Sequence, residues 1–394
     1  MADSYSKVTS TSWFERLGKS VGGVIVGVIL FIASFPLLFW NEGRAVKTAK
    51  GLAEGAANTV DVTDIATVNP ANNGKLVHLS GLADTQDTLT DSMFGISLVG
   101  IKLSRDVEMY QWVEEKKTET RKKLGGGEET VTTYNYTKKW TARPVDSSQF
   151  DTVQGHENPS WPFGGNSWVA DDVRLGAYQL SPSLVSMISG AQRIPLKPDM
   201  VDKVEDSQLK SRLRVINDYF FLPTMIGGSM SSPQIGDMRI SFSAIKPSTV
   251  SILAKQVNNT FEPYTTSYGT TINDLRMGTL SASEMYAQLQ RENTIMTWVL
   301  RLVGFLLMGF GLSMVFQPLV VLADVIPLLG DLVSMGIGLF AFGIAFVLSL
   351  TTIAIGWVFY RPVLGITLLV IAVTILGSLI WFGHKRRAAA VTAG

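Results

Sequence analysis

The side chains able to do chemistry are few. There are no cysteines among the 394 residues, so disulfides, thiolate metal sites and cysteine nucleophiles are excluded. Three histidines are present: His78, His156 and His384. His384 lies in a basic tail and His78 in a strand pattern. His156 sits in the turn-rich stretch GHENPSWPFGG beside Glu157. No nucleophile motif accompanies it, so loop-structuring is a better reading than general base catalysis. The string LGKS at 17–20 resembles the end of a phosphate loop. Trp13 occupies the place of the required earlier glycine and no strand precedes it, so that reading fails. No HExxH, GxSxG or calcium-loop spacing occurs. The residue types call for no catalytic centre, no metal and no cofactor.

More informative are ionisable residues in apolar surroundings. Arg301 stands near the start of an apolar run. Asp324 and Asp331 lie in FQPLVVLADVIPLLGDLV. Charges at membrane depth are costly and therefore functional candidates, here pore residues. The plainer expectation is an interfacial connector, bent by Pro318, Pro327 and Gly330, with both aspartates in water.

The elements around these residues divide by hydropathy. Val21–Trp40 is uncharged and long enough to cross a hydrocarbon layer of about 30 Å. It lacks a cleavage site of the signal-peptide kind, so it reads as a retained helix, kinked or ended near Pro36. Further spans are expected at 296–316, 332–360 and 362–383. This predicts a multi-pass α-helical membrane protein with four transmembrane helices. A large α+β, β-rich extramembrane domain at 41–295 is inserted between the first and second. A short tail (1–20), an interfacial connector (317–331) and a basic C-terminal tail (384–394) complete the division.

Trp40, Trp298, Trp357 and Trp381 fall at span ends, where an indole prefers the headgroup layer. Gly23 and Gly27 form a GxxxG, and Gly336, Gly338 and Gly343 add small residues suited to close helix packing. Lys385, Arg386 and Arg387, with Arg16 and Lys19, argue for cytoplasmic termini and an extracytoplasmic domain. Arg44, Lys47 and Lys50 argue the other way. The formal net charge of +1 offers nothing to nucleic acid.

Within the domain, 107–140 reads as a long β-hairpin turning at LGGGE. The charges near its tip suggest edge protection. Further strand patterns lie at 75–83, 238–245, 249–257 and 261–272. Ser281 and Glu284 have capping-box spacing ahead of a helix expected to run into the second span.

Long strings here resemble the LUMA family, transmembrane protein 43. They are NEGRAVKTAKGLAEG at 41–55, GKLVHLSG at 74–81, VEMYQWVE at 107–114 and GHENPS at 155–160. GDMRISFS at 236–243, MTWVLRLVG at 296–304 and GWVFYRP at 356–362 complete the set. The resemblance runs from about residue 13 to residue 365. It implies one span, a lumenal domain and three further spans, in a self-associating membrane organiser rather than a catalyst. Eukaryotic members are associated with the endoplasmic reticulum and inner nuclear membrane, with emerin and lamins as partners. The short N-terminal tail and WPFGGNSW at 161–168 depart from the family pattern. In a bacterial chain, set in an inner membrane, the nuclear partners would not carry over. The expected partners are the lipid bilayer and further copies of the chain as a homo-oligomer. A channel subunit with a pore formed by spans two to four, and a membrane-anchored hydrolase using His156, remain as alternatives.

Overall fold

The computed structural model describes residues 3–363 together with 365–367, 370 and 374. The expected fourth span, 362–383, falls mostly outside them, and Trp381 and the tail at 384–394 wholly so.

The chain opens with strand β1 (Asp3–Thr11) and passes into helix α1 (Trp13–Asn58), 46 residues long. At 1.5 Å per residue this helix extends about 69 Å. Ser12 caps it by accepting a hydrogen bond from the Glu15 N–H. The helix runs through Pro36 without ending there. Between apolar flanks an uncoiled backbone would have no water to bond, so the helix survives the loss of one N–H. The first span and the Ala/Lys/Glu-rich segment after it are therefore one rod.

The domain holds two large sheets around one core, with two small two-stranded sheets beside them. In the first sheet, strands β3 (Lys102–Lys122) and β4 (Glu128–Thr141) form the expected hairpin. Strands β5 (Tyr219–Leu222) and β6 (Met238–Ile245) extend it from the other edge of β3. In the second, β2 (Leu76–Asp84) pairs with β7 (Ser248–Val257), and β8 (Asp274–Met277) lies on the far side of β7. Lys246-Pro247 carries the chain directly from β6 in one sheet to β7 in the other. Alternating inward residues supply the shared core: Val77 and Leu79 from β2, Leu103 and Val107 from β3, Phe220 from β5, Phe242 from β6 and Ile252 from β7.

Helix α2 (Ala282–Ala323) begins with the expected capping box of Ser281 and Glu284. It runs unbroken from the domain through the second apolar stretch. The connector expected at 317–331 contracts to a three-residue turn. Helix α2 continues past Pro318 to Ala323, and helix α3 (Pro327–Tyr360) starts at a proline suited to a first helical turn. Helices α1, α2 and α3 are each long and apolar enough to cross a membrane. They pack as one bundle. Gly27 of α1 and Gly311 of α2 allow the closest crossing: a Cβ on either would stand 2.7 Å from the other's carbonyl oxygen.

The N-terminal stretch, expected as a tail, is instead the third strand of a ribbon. Residues 3–11 pair with 128–136 of β4, which pair with 114–122 of β3. The sequence conceals this because Ser and Thr fill β1 and no hydrophobic alternation marks it. The ribbon leaves the domain core at Met109. Residues 115–121 are exposed, and the tip returns to the helices at the end remote from the domain.

Candidate functional site

Two polar clusters close the two ends of the helical bundle. About 26 helical residues separate Arg16 from Glu42, or about 39 Å. About 23 separate Arg301 from Asp324, or about 35 Å. Between them the two helices are apolar apart from Lys19, Asn41 and Gln317 near the ends and hydroxyls such as those of Ser34, bonded to the Phe31 carbonyl, and Ser313, bonded to that of Gly309.

At the domain end, Glu42 of α1 is 1% exposed. Its carboxylate accepts from Arg301 Nε at 2.7 Å and Nη2 at 2.8 Å, a two-pronged contact from α2. Trp357 Nε1 of α3 donates to the same carboxylate at 2.8 Å. One buried acid thus joins all three helices. The Arg301 guanidinium lies 4.7 Å from the Trp298 ring centre and 5.6 Å from that of Trp357, which adds cation–π attraction. Gly356 makes the approach possible, since a Cβ there would come within 3.0 Å of Glu42 Cγ. Just above, Asn41 donates to the Thr297 carbonyl, Arg44 to Asn293 and Thr297, and Asn293 to the Ala45 carbonyl.

At the remote end, Asp324 is fully buried. Arg16 Nη2 donates to it at 2.5 Å and Lys122 Nζ at 2.7 Å. Lys122 also bonds Asp331 at 2.7 Å, and Arg16 reaches Glu128 at 2.7 Å and the Gly126 carbonyl at 2.5 Å. Burial disfavours the charge on Lys122, but its hydrogen bonds to the two aspartates outweigh this and raise its pKa above the usual lysine value. Trp13 Nε1 donates to the Val321 carbonyl, and Gly125 N–H to that of Val325. Gly125 and Gly126 adopt φ of +88° and +80°, a turn that β-carbons would strain. A Cβ on Gly126 would also strike the Trp13 ring.

These clusters sort the sequence candidates. Arg301 is partly buried and Asp324 fully so, and both are paired, so the expectation that both aspartates reach water fails for Asp324. The Asp331 side chain is 72% exposed and pairs with Lys122. The physical reason is long-range: the cations that neutralise Asp324 come from α1 and from a hairpin some two hundred residues earlier. The same contact corrects the reading of the tip lysines as edge protection alone, because Lys122 is an anchor. Trp298 and Trp357 join the domain-end cluster, and Trp40, 55% exposed, lies two residues before Glu42. Gly27 packs closely and Gly23 is in ordinary contact with Met314. A Cβ on Gly336, Gly338 or Gly343 would meet nothing among the described residues. The close-packed helical glycines also include Gly304, Gly309, Gly311 and Gly356, which no GxxxG spacing announces. Glu42 was missed as well, although it directly follows the first apolar run.

His156 is buried at the ribbon's root, stacked on Tyr136 at 3.9 Å and edge-on to Trp112 at 4.7 Å. Its Nδ1 lies 3.1 Å from the Thr152 carbonyl. Burial, and then the Glu114 carboxylate that Tyr136 donates to, raise the tyrosine's pKa. The arrangement secures a loop. His78 bridges Asp61 and the Leu280 carbonyl, tying a sheet to the start of α2. His384 lies outside the described residues. Among the described residues, no group of three or more His, Asp or Glu side chains is placed to hold a metal.

The profile of transmembrane protein 43 matches residues 109–362, from the root of the ribbon to the end of α3. The chain belongs to the transmembrane protein 43 family. It is 37% identical to transmembrane protein 43 of Rattus norvegicus over 370 residues, covering 90% of each chain. It is 36% identical to that of Homo sapiens over 363 residues, covering 89% of this chain and 87% of the human one. The homolog of Drosophila melanogaster is 34% identical over 365 residues, covering 88% and 90%. No solved structure matches. The transmembrane protein 43 match contains Arg301, Trp357, Lys122 and Asp324, whereas Glu42 and Arg16 precede it. Both clusters therefore join residues inside the profile to helix α1 outside it. As in a transmembrane protein, the bundle offers apolar helices to the bilayer, while the β-rich domain packs on one end of α1 and α2 and reaches the other end through its ribbon.

Proposed function

We propose that this chain is a non-enzymatic membrane scaffold, which organises its membrane through self-association and partner binding. The observation that carries this reading is mechanical. Helices α1 and α2 run without a break from the bundle into the domain, and charged clusters lock both ends of the bundle. Leu52 of α1 packs with Leu76 and Leu253 of the second sheet and with Met285 and Tyr286 of α2. Such a body transmits position and load rather than opening a cleft. The basic residues at the remote end, among them Arg16, Lys19, Lys122 and Lys123, favour the cytosol there and the domain on the opposite side. Light scattering on the full-length protein in nanodiscs tests the reading. A discrete oligomer supports it; a stable monomer removes self-association from it.

The polar ribbon at the side of an apolar bundle favours a second reading, a channel or channel subunit. Neutralising Asp324 and Asp331 together (Asp324→Asn, Asp331→Asn) then changes ion selectivity in a conducting reconstitution. Unchanged selectivity removes these aspartates from any pore.

A further inference from the structure

The ribbon presents a problem that a single chain in a bilayer does not solve. Its three-stranded part is nine residues long on every strand, 3–11, 128–136 and 114–122. At about 3.3 Å per residue that is about 30 Å, the thickness of the hydrocarbon layer. One end is rooted in the domain. The other is bonded to Asp324, Val325 and Arg16 at the remote end of helices that span the same distance. If α1, α2 and α3 cross the bilayer, the ribbon lies at its depth.

Lipid cannot flank it. Seven of the nine residues 114–122 are charged, and they fall on both faces of the strand. Glu115, Lys117, Glu119 and Arg121 occupy one face; Glu114, Lys116 and Lys122 occupy the other. A lysine or arginine facing lipid at mid-depth costs about 2–4 kcal/mol, and here several would do so.

Among the described residues, the ribbon also has two unpaired edges. Tyr110 and Trp112 point their N–H groups away from β4, to the Asp237 carbonyl and Asn158 Oδ1. The register continues without a bulge. The N–H and C=O groups of Glu114, Lys116, Thr118 and Thr120 therefore face outward, with no strand beside them among the described residues. By the same alternation Ser4, Ser6, Val8 and Ser10 form the outer edge of β1. Hydrocarbon does not tolerate an open sheet edge.

We infer that further copies of this chain wall the ribbon off from lipid, the β1 edge of one copy set against the β3 edge of the next. The helices form the outside of the ring and the ribbons its polar interior. Both edges belong to one chain, occupy the same depth and have the same length. The contact is head-to-tail and closes by rotation about the membrane normal. The inference rests on the self-association proposed above and assigns it a surface.

The absence of cysteine allows a direct test in the full-length protein in nanodiscs, since introduced thiols are the only ones present. Thr9 and Thr120 share a row of the ribbon but are two strands apart, about 9.6 Å. That exceeds the reach of a disulfide within one chain. Oxidising Thr9→Cys/Thr120→Cys should give a ladder of covalently joined copies on a non-reducing gel. Lys7→Cys/Thr120→Cys and Thr11→Cys/Thr120→Cys cover a stagger of two residues either way. The single variant Thr120→Cys should react with a hydrophilic maleimide and escape quenching by nitroxide-labelled lipid when carrying a fluorophore. An oligomeric mass with no ladder from any pair overturns the ribbon interface and leaves self-association standing. Quenching by lipid also overturns the interface. A monomeric mass with freely reactive Thr120→Cys overturns both, and lays the bundle along one leaflet with the ribbon in water.

Discussion

The two ends of the bundle are closed by similar chemistry with different consequences. At the domain end, Glu42, Arg301 and Trp357 come from the three helices, so that cluster ties helix to helix. At the remote end, Asp324 is held by Arg16 of α1 and Lys122 of the hairpin, so that cluster ties the bundle to the domain's furthest projection. The comparison separates two tasks that a buried ion pair can perform. One fixes how spans pack, and the other, besides joining α1 to the end of α2, fixes where the ribbon reaches.

The largest effect is expected from Arg301→Met, which leaves Glu42 buried with Trp357 as its remaining partner. A loss of about 3–5 kcal/mol should appear in reversible unfolding of the detergent-solubilised protein. Replacing both Glu42 and Arg301 by apolar residues should recover most of it. If the double variant is no better than Arg301→Met, the cost lies in packing rather than in the stranded charge.

Asp324→Asn should be milder, about 1.5–3 kcal/mol, because an amide oxygen still accepts one hydrogen bond. Its signature is local: trypsin should cut faster at Lys122 and Lys123 while far-ultraviolet circular dichroism is unchanged. Equal loss of helix signal would mean that the remote cluster also holds the spans together, which would erase the contrast.

Glycine substitutions sharpen the comparison within the bundle itself. Gly311→Leu should cost about 1–3 kcal/mol by forcing α2 away from Gly27. Gly336→Ala should be neutral or slightly stabilising in the isolated chain, because a Cβ there meets nothing among the described residues. Loss of oligomer mass in Gly336→Ala without loss of monomer stability would show that another copy covers that face. The smallest effect belongs to Ser281→Ala, about 1 kcal/mol from the lost cap of α2, read as a lowered unfolding midpoint.

Local patterns were legible wherever neighbouring residues decide the outcome. The hairpin at 107–140 follows from alternation bracketing LGGGE, and the capping box from Ser281 and Glu284. The apolar runs that mark α1, α2 and α3 follow from hydropathy over about 20 residues. Helix continuity through Pro36 and Pro318 was hidden, because a proline costs a helix one hydrogen bond whereas leaving the helix in apolar surroundings costs several. The role of β1 was hidden too, since Ser/Thr-rich strands lack the period that burial imposes on one face.

The amino-acid sequence by itself determined that this is a membrane protein with a β-rich domain between apolar helices. Those properties depend on local composition and on the requirement that backbone in lipid bond within its own segment. Which charge meets which was decided only by tertiary structure. Glu42 and Arg301 are separated by most of the chain, as are Arg16 and Asp324, and no local spacing encodes either pair. The same holds for glycine: among the described residues, Gly27 and Gly311 are crossing points while Gly336, Gly338 and Gly343 meet no neighbour. A missing side chain matters only where another backbone arrives to use the space.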